Sequence, residues 1–593
     1  MNTRMMATSA MAAACLSGPG VALAADWSVS GFVRQEVAVK TSGDSNINNQ
    51  QGNTYNGVTV PNTGLFGGSI TRPASHTEDN TFNVFQTRIE LNLDGRLSDN
   101  WSAHFKLRGI ADEIGQVDDA FDKRNTFEQK LYASTKGTPL EANGRQWMLD
   151  LPVAYADYSQ GPLWLRFGNQ QIAWGEALFF RVSDVPNGLD LRRHSVLGVA
   201  AEEYADSRVP ALGIRGSYRV TDDWEVEGFA QKFQASLLPG QNSPYNPIPA
   251  QFTIQERQGF DDARNNWNLG ARVKGTLGAF DIHAFAVNRN NPDGVYKWTL
   301  AKGAGTLPGS AFQGGSNSGV FSAAEWFDYA AATRLDGLGA LETALNEFPD
   351  TVALGANAVA AGCGAPSSAV GAIRVDQASG GCILDTFFTT GSLRGHLARE
   401  YPRETVVGFG INHVFEGEPD TLMDQLIGRF ELSYTPDKKF TNPTLSRRYI
   451  EEDETQFAFI FEKYHKFSNA IPATYMVAQW LHKSASDLFG RSLVGVDNVA
   501  GERPRGQSGG FNAVAFALQQ PSPTLAWRFD LTVLTDLKGG WLIQPGVKWK
   551  PNKDFQLDVY ANVIESYGAQ DNRNFAQGLE YANEVFARAT VSF

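Results

Sequence analysis

Asn583-Glu-Val-Phe-Ala-Arg-Ala-Thr-Val-Ser-Phe593 closes the chain. Val585, Ala587, Ala589, Val591 and Phe593 share one face of an extended segment, and Phe586, Arg588, Thr590 and Ser592 share the other. The period is two, apolar on one side and mostly polar on the other. A strand of this kind fits the closing strand of a transmembrane barrel, with lipid against one face and the interior against the other.

The opposite end agrees. Residues 1–24 carry Arg4, a weakly apolar middle and Ala22-Leu23-Ala24 ahead of Ala25-Asp26-Trp27. This pattern predicts a secretory signal peptide with an A-x-A cleavage site. The apolar stretch is short and broken by Ser, Gly and Pro, which argues against a transmembrane anchor. Cys15 lacks the preceding leucine of a lipoprotein signal. Residues 25–593 are then expected to form one barrel domain.

Composition narrows the class. The chain has 593 residues, with 59 Gly, 38 Phe and 13 Trp spread along it and no linker that splits it. No segment reaches the roughly 18 apolar residues of a spanning helix. Mean hydropathy is −0.28. A β-barrel reconciles these facts, because only alternate residues of each strand meet lipid. A formal charge of −13 argues against a nucleic-acid partner and fits acidic surface loops. Cys363 and Cys382 lie in one Gly/Ala-rich segment. In an exported chain they predict a disulfide, worth about 3 kcal/mol in the chain-entropy model. With no His nearby they do not predict a metal site.

Alternation and turn residues predict eighteen strands, over 27–40, 82–93, 101–109, 147–158, 163–174, 209–220, 224–233, 267–276, 280–288, 404–415, 426–435, 456–466, 472–483, 512–519, 525–534, 541–549, 555–564 and 583–593. The alternative count is sixteen. An even number puts both ends in the periplasm. Tight turns alternate with long loops expected outside the cell. Trp101, Trp224, Phe280 and Phe555 recur just after tight turns, as an interfacial aromatic girdle requires. The core aromatics of a soluble β-sandwich explain that regularity less well. Residues 290–403 form a long insertion, expected to cap the mouth, plug the lumen or stand outside. Residues 322–345 show helical spacing interrupted by Gly337 and Gly339, and predict one or two short helices.

One stretch has family character. Leu163-Trp-Leu-Arg-Phe-Gly-Asn-Gln-Gln-Ile-Ala-Trp-Gly-Glu176 precedes Phe179-Phe180, Asn187-Gly-Leu-Asp190 and a returning Val209-Pro-Ala-Leu. It is similar to the family catalogued as domain of unknown function 1302 (DUF1302). There a strand of the type R-x-G-x-Q-x-x-x-W-G-E enters an extracellular segment and a strand with P-A-L returns. The matching positions are Arg166, Gly168, Gln170, Trp174, Gly175 and Glu176. The 290–403 insertion departs from the simpler pattern. The resemblance implies a Gram-negative outer-membrane barrel, contacting outer-membrane lipids. It also implies two partners, a periplasmic or lipoprotein member of the DUF1329 family and an inner-membrane transporter of the resistance–nodulation–division (RND) type. Val585, Val591 and Phe593 resemble the address read by the barrel-insertion machinery. A homotrimer is the assembly that an RND-type trimer beneath would match.

Alternation assigns Arg88, Lys106, Arg108, Arg166, Arg215, Arg219, Arg272 and Lys274 to the inward face. They form either a positive strip that attracts an anion or a salt-bridge lattice that stiffens the wall. Trp174, Gly175 and Glu176 sit where a strand meets its loop. Pairing of Glu176 with Arg192 or Arg193 would fold that loop into a constriction; otherwise Trp174 is an interfacial aromatic and Glu176 is solvated. No enzyme is expected: His194-Ser195 is mere adjacency, and no G-x-S-x-G, phosphate-binding loop or H-E-x-x-H is present. No cofactor or metal is implied. The expected function is a channel or exit duct for a small hydrophobic or amphiphilic molecule, anionic if the strip attracts. A stand-alone porin for small organic acids and a plugged barrel serving as surface scaffold or receptor are the rivals.

Overall fold

The computed structural model describes residues 26–43, 46, 54–55, 58–59, 81–114, 117, 137–144, 146–194, 207–239, 243–246, 252–298, 367–369, 372–374, 395–441, 449–493, 510–567, 576 and 579–593. Eighteen strands form a closed antiparallel barrel. They are β1 (Asp26–Lys40), β2 (Phe82–Arg96), β3 (Trp101–Asp112), β4 (Trp147–Gln160), β5 (Leu163–Gln170), β6 (Ala211–Arg219), β7 (Trp224–Lys232), β8 (Trp267–Leu277) and β9 (Phe280–Asn290), then β10 (Arg403–Phe415), β11 (Leu426–Phe440), β12 (Ile450–His465), β13 (Thr474–Lys483), β14 (Phe511–Pro521), β15 (Trp527–Asp536), β16 (Gly540–Trp549), β17 (Phe555–Ser566) and β18 (Glu584–Ser592). Each strand pairs with the next, and β18 closes on β1 from Phe32↔Ser592 to Lys40↔Glu584. Closure leaves no sheet edge, which is what a sheet needs in lipid.

Short turns join one end. Ser98 Oγ accepts from the Trp101 amide and Thr221 Oγ1 from the Trp224 amide, while Gly161 and Gly278 take left-handed φ of 56° and 64°. The residues that follow supply exposed aromatics at this rim, Trp101 and Phe280 among them. Leu91, Phe105, Ile214, Val273, Phe459 and Val585 face outward along the wall and stay exposed, forming the lipid band. A bulge between Lys106 and Arg108, opposite Leu151 and Pro152, shifts the alternation of β4. Pro152 is tolerated there because a bulge leaves one residue out of the ladder.

The expected count of eighteen holds. Several boundaries differ: β11 runs on to Phe440 and β12 begins at Ile450, and β5 ends at Gln170, where the stretch expected to continue it to residue 174 turns into the barrel. Gln171-Ile172-Ala173-Trp174 keeps a strand-like alternation, but Ile172 and Trp174 bury against loop and lumen groups instead of lipid. Within the long insertion, Val295–Trp298 and Gly395–Glu400 form a three-stranded sheet with Phe252–Gln255, beside helix α1 (Glu256–Ala263). The signal segment 1–24, the helices expected over 322–345, and Cys363 with Cys382 lie outside the described residues.

Candidate functional site

Beyond β5 the chain crosses the lumen. The Ile172 amide donates to Asn187 Oδ1 at 2.8 Å. Trp174 is 1% exposed, with ring centroids 5.1 Å from Phe229 and 5.9 Å from Phe285, and its Nε1 donates to Glu227 Oε1 at 2.7 Å. Inward glycines make this seat. A Cβ on Gly270 would stand 2.2 Å from the Phe229 ring, and one on Gly408 2.2 Å from the Phe285 ring. At Gly175 the loop doubles back so closely that a Cβ would meet the Asp184 amide nitrogen at 2.7 Å.

The far wall then receives the loop. Glu431 is 1% exposed, and its Oε1 accepts from the amides of Glu176 (2.5 Å) and Ala177 (3.1 Å). Its Oε2 accepts from the Ser183 amide at 2.9 Å. Gln479 Oε1 accepts from the Phe179 amide at 3.0 Å. The Glu176 side chain faces Arg429 at 3.0 Å and Asn412 at 2.6 Å. The pairing of Glu176 with Arg192 or Arg193 is therefore corrected. Glu176 has already crossed to β10 and β11, whereas Arg192 sits on the returning limb, 2.8 Å from Asp190 and 3.0 Å from Glu141. Arg193, half-buried beside it, adds its positive charge to the field at Asp190.

The return ends at β18. His194 Nε2 lies 2.6 Å from Glu584, a fully buried carboxylate that also accepts from Asn83 (2.8 Å), Asn562 (3.0 Å) and the Tyr245 hydroxyl (2.6 Å). Burial pushes the Asp190 and Glu141 carboxyls up, but the Arg192 guanidinium outweighs it and holds both below the usual carboxylate range. Burial, reinforced by the Glu584 charge, raises the Tyr245 hydroxyl well above its ordinary value, so it stays a donor.

Ion pairs line the lumen, and an apolar band interrupts them on one side. From β2 to β8 the inward cations lie against acids: Arg88 Nε with Glu90 (2.8 Å), Lys106 with Glu90 (3.3 Å), Arg108 with Asp150 (2.6 Å) and Arg166 with Asp157 (2.7 Å). Arg215 and Arg272 share Glu227 (2.5 and 2.6 Å), and Lys274 meets Glu225 at 3.1 Å. Of the eight cations singled out in the sequence, only Arg219, exposed at the short-turn end, has no ion pair among the described residues. From β12 to β18 the inward face carries an apolar band, Ile460, Leu481, Ala515, Leu534, Tyr560, Ile564 and Phe586, flanked by inward polar and ion-paired groups such as Gln479, Glu454 with Lys438, and Asp558 with Arg588. Phe179, Phe180 and Val182 of the crossing loop pack on this band. Apolar side chains facing a water-filled lumen are costly, and the loop removes them from water.

Alternation in the sequence turns Glu227 and Glu431 inward among the acids facing the basic residues, but does not show that they hold the loop; Gln479 and Glu584, inward as well, were missed. For Glu584 the available signal was an inward acid two positions before the inward Phe586. Val585, Val591 and Phe593 face outward, and the Phe593 amide and carbonyl pair with Gly31 at 3.0 Å. No group of metal-ligating side chains able to hold an ion occurs among the described residues.

The fold is similar to solved outer-membrane structures. OccAB3 of Acinetobacter baumannii is 9% identical with a TM-score of 0.41, covering 96% of this chain and 99% of that chain. OccAB2 of the same organism is 7% identical with a TM-score of 0.43, covering 97% and 99%. Wzi of Escherichia coli, described as a carbohydrate-binding β-barrel involved in group 1 capsule assembly, is 11% identical with a TM-score of 0.35, covering 95% and 84%. At these identities and scores no residue role or activity carries over. No curated protein matches the sequence. The family model described as protein of unknown function (DUF1302) matches residues 4–593, the Trp174-Gly175-Glu176 crossing included, and the chain belongs to that family.

Proposed function

We propose that the protein is an outer-membrane channel or exit duct for a small amphiphilic molecule, with loop 171–194 as its constriction. The observation that carries this reading is the divided lumen. The ion-paired strands β2–β8 stand opposite the apolar band on β12–β18, and the loop that Trp174, Gly175 and Glu176 begin lies on both. Withdrawal of the loop uncovers Ile460, Leu481 and Tyr560 for the apolar part of a cargo, while the paired charges of β2–β8 stay available to its polar part. The family association supplies the partners: a DUF1329 periplasmic protein and an RND-type transporter, with a homotrimeric barrel to match. Val585, Val591 and Phe593 are the residues we assign to recognition by the barrel-insertion machinery.

The test has two arms. Single-channel recording compares wild type with W174A/E431A, which frees both anchors of the loop. The expected result is a small or intermittent conductance that becomes large and steady in the variant. A variant that conducts nothing leaves the barrel as a scaffold and refutes the duct. In the second arm, the native protein is cross-linked in envelopes and the co-purifying proteins and lipids are identified by mass spectrometry. Recovery of an RND-type transporter and a bound amphiphile supports the trans-envelope duct, whereas recovery of the barrel alone supports a stand-alone porin.

A further inference from the structure

Two cations stand on the lipid side of the barrel at the long-loop rim. Lys232 ends β7, Trp267 begins β8 and Arg403 begins β10. The Lys232 ammonium lies 4.6 Å from the Trp267 ring centroid and donates to the Asn265 carbonyl at 2.9 Å. The Arg403 guanidinium donates to the Trp267 carbonyl (2.8 Å), to Asn288 Oδ1 (2.7 Å) and carbonyl (3.1 Å), and to Asn290 Oδ1 (3.1 Å). Every one of these acceptors is neutral. The guanidinium is thus fixed in place across β8 to β10 while its charge stays uncompensated by any carboxylate among the described residues.

Of the acids close in chain order, Glu404 turns inward to Arg289 at 2.9 Å and Asp261 of α1 pairs with Arg264 at 3.3 Å, while Asp262 lies exposed on α1 with no ion pair to either cation among the described residues. Below the cations, Leu269 and Val407 face lipid and are 50% and 41% exposed. Trp267 marks the level: an exposed indole at a barrel rim sits among headgroups. A charge held at that depth takes up water or an anionic headgroup.

We propose that Lys232, Trp267 and Arg403 form a binding site for the phosphorylated headgroup of an outer-leaflet glycolipid. The two cations flank the headgroup phosphate, the indole lies against its sugar, and an acyl chain runs down Leu269 and Val407. The site lies on the outside of the wall and is separate from the lumen.

The test is retention of lipid by the full-length protein. Wild type, K232Q, R403Q and K232Q/R403Q are purified in mild detergent, and the phosphorylated glycolipid held per barrel is measured by mass spectrometry. K553Q, at the opposite rim, is the control. Each single variant is expected to retain about fivefold less lipid than wild type, and the double variant less again, at about 1 kcal/mol for each interfacial cation. K553Q is expected to match wild type. Heat-modifiable mobility and circular dichroism confirm that each variant is a folded barrel. Two results overturn the proposal. One is equal retention by wild type and the folded double variant. The other is a cross-link from Lys232 to a carboxylate of a second copy in native membranes, which would make the patch a subunit contact.

Discussion

Glu431 takes up three backbone N–H groups, those of Glu176, Ala177 and Ser183, which have no strand partner once the loop leaves the wall. Both carboxylate oxygens are needed, one for each limb of the loop. In E431Q the amide nitrogen replaces one oxygen and brings donor against donor, so one limb loses its acceptor at a cost of about 1–3 kcal/mol. The expected readout is frequent opening in single-channel records with little change in the melting temperature of the barrel. Unchanged gating in a folded E431Q would show that the carboxylate does not hold the loop. Trp174 acts differently. It fills the seat left by Gly270 and Gly408, so W174A removes a buried ring and costs about 3–5 kcal/mol. Its expected effect is a lower melting temperature together with a larger conductance.

At the scale of the loop, closure is held by charges as well as packing. Arg192 stands between Asp190 and Glu141, and both carboxyls sit below their ordinary range despite burial. A depressed carboxyl contributes stability that is fully present above its unfolded value, near 4, and is lost as the pH falls through the lower folded value. Closure is therefore expected to be constant from neutral pH down to about pH 4 and to weaken only below it. Open probability against pH checks this, and a rise already between about pH 7 and 5 would place the sensitive group elsewhere. R192Q leaves two buried carboxylates without their cation, so its loop is expected to open at neutral pH. The strands themselves were legible in the sequence because alternation and turn chemistry act over a few residues. The crossing was not. Gln171 to Trp174 alternates as a strand does, and what diverts it is Glu431, hundreds of positions later in the chain. Likewise, the carboxylate nearest Arg192 in sequence is Asp190, but Glu141 reaches it only through the closed barrel.

For the whole barrel, the inward cations have two possible roles, conducting and bracing, and each predicts a different ion selectivity. Their sequence order gave a basic strip, because an alternating strand reveals which residues share a face and hides what faces them from the next strand. Cross-strand register supplies that: Arg108 stands opposite Asp150, and Arg166 opposite Asp157. Arg108 and Asp150 are both buried and meet through two hydrogen bonds, at 2.9 and 2.6 Å. Breaking such a pair by removing one partner costs about 3–5 kcal/mol, whereas removing both charges together costs far less. R108Q is thus expected to lower the melting temperature markedly, and R108Q/D150N to recover most of the loss. The reversal potential of the double variant in a salt gradient separates the two roles. A bracing pair contributes no net charge to the lumen, so the potential stays at the wild-type value. If Arg108 instead draws anions into the pore, R108Q/D150N moves the potential toward cations. The triple variant R88Q/R108Q/R166Q then moves it further, and the lattice reading fails.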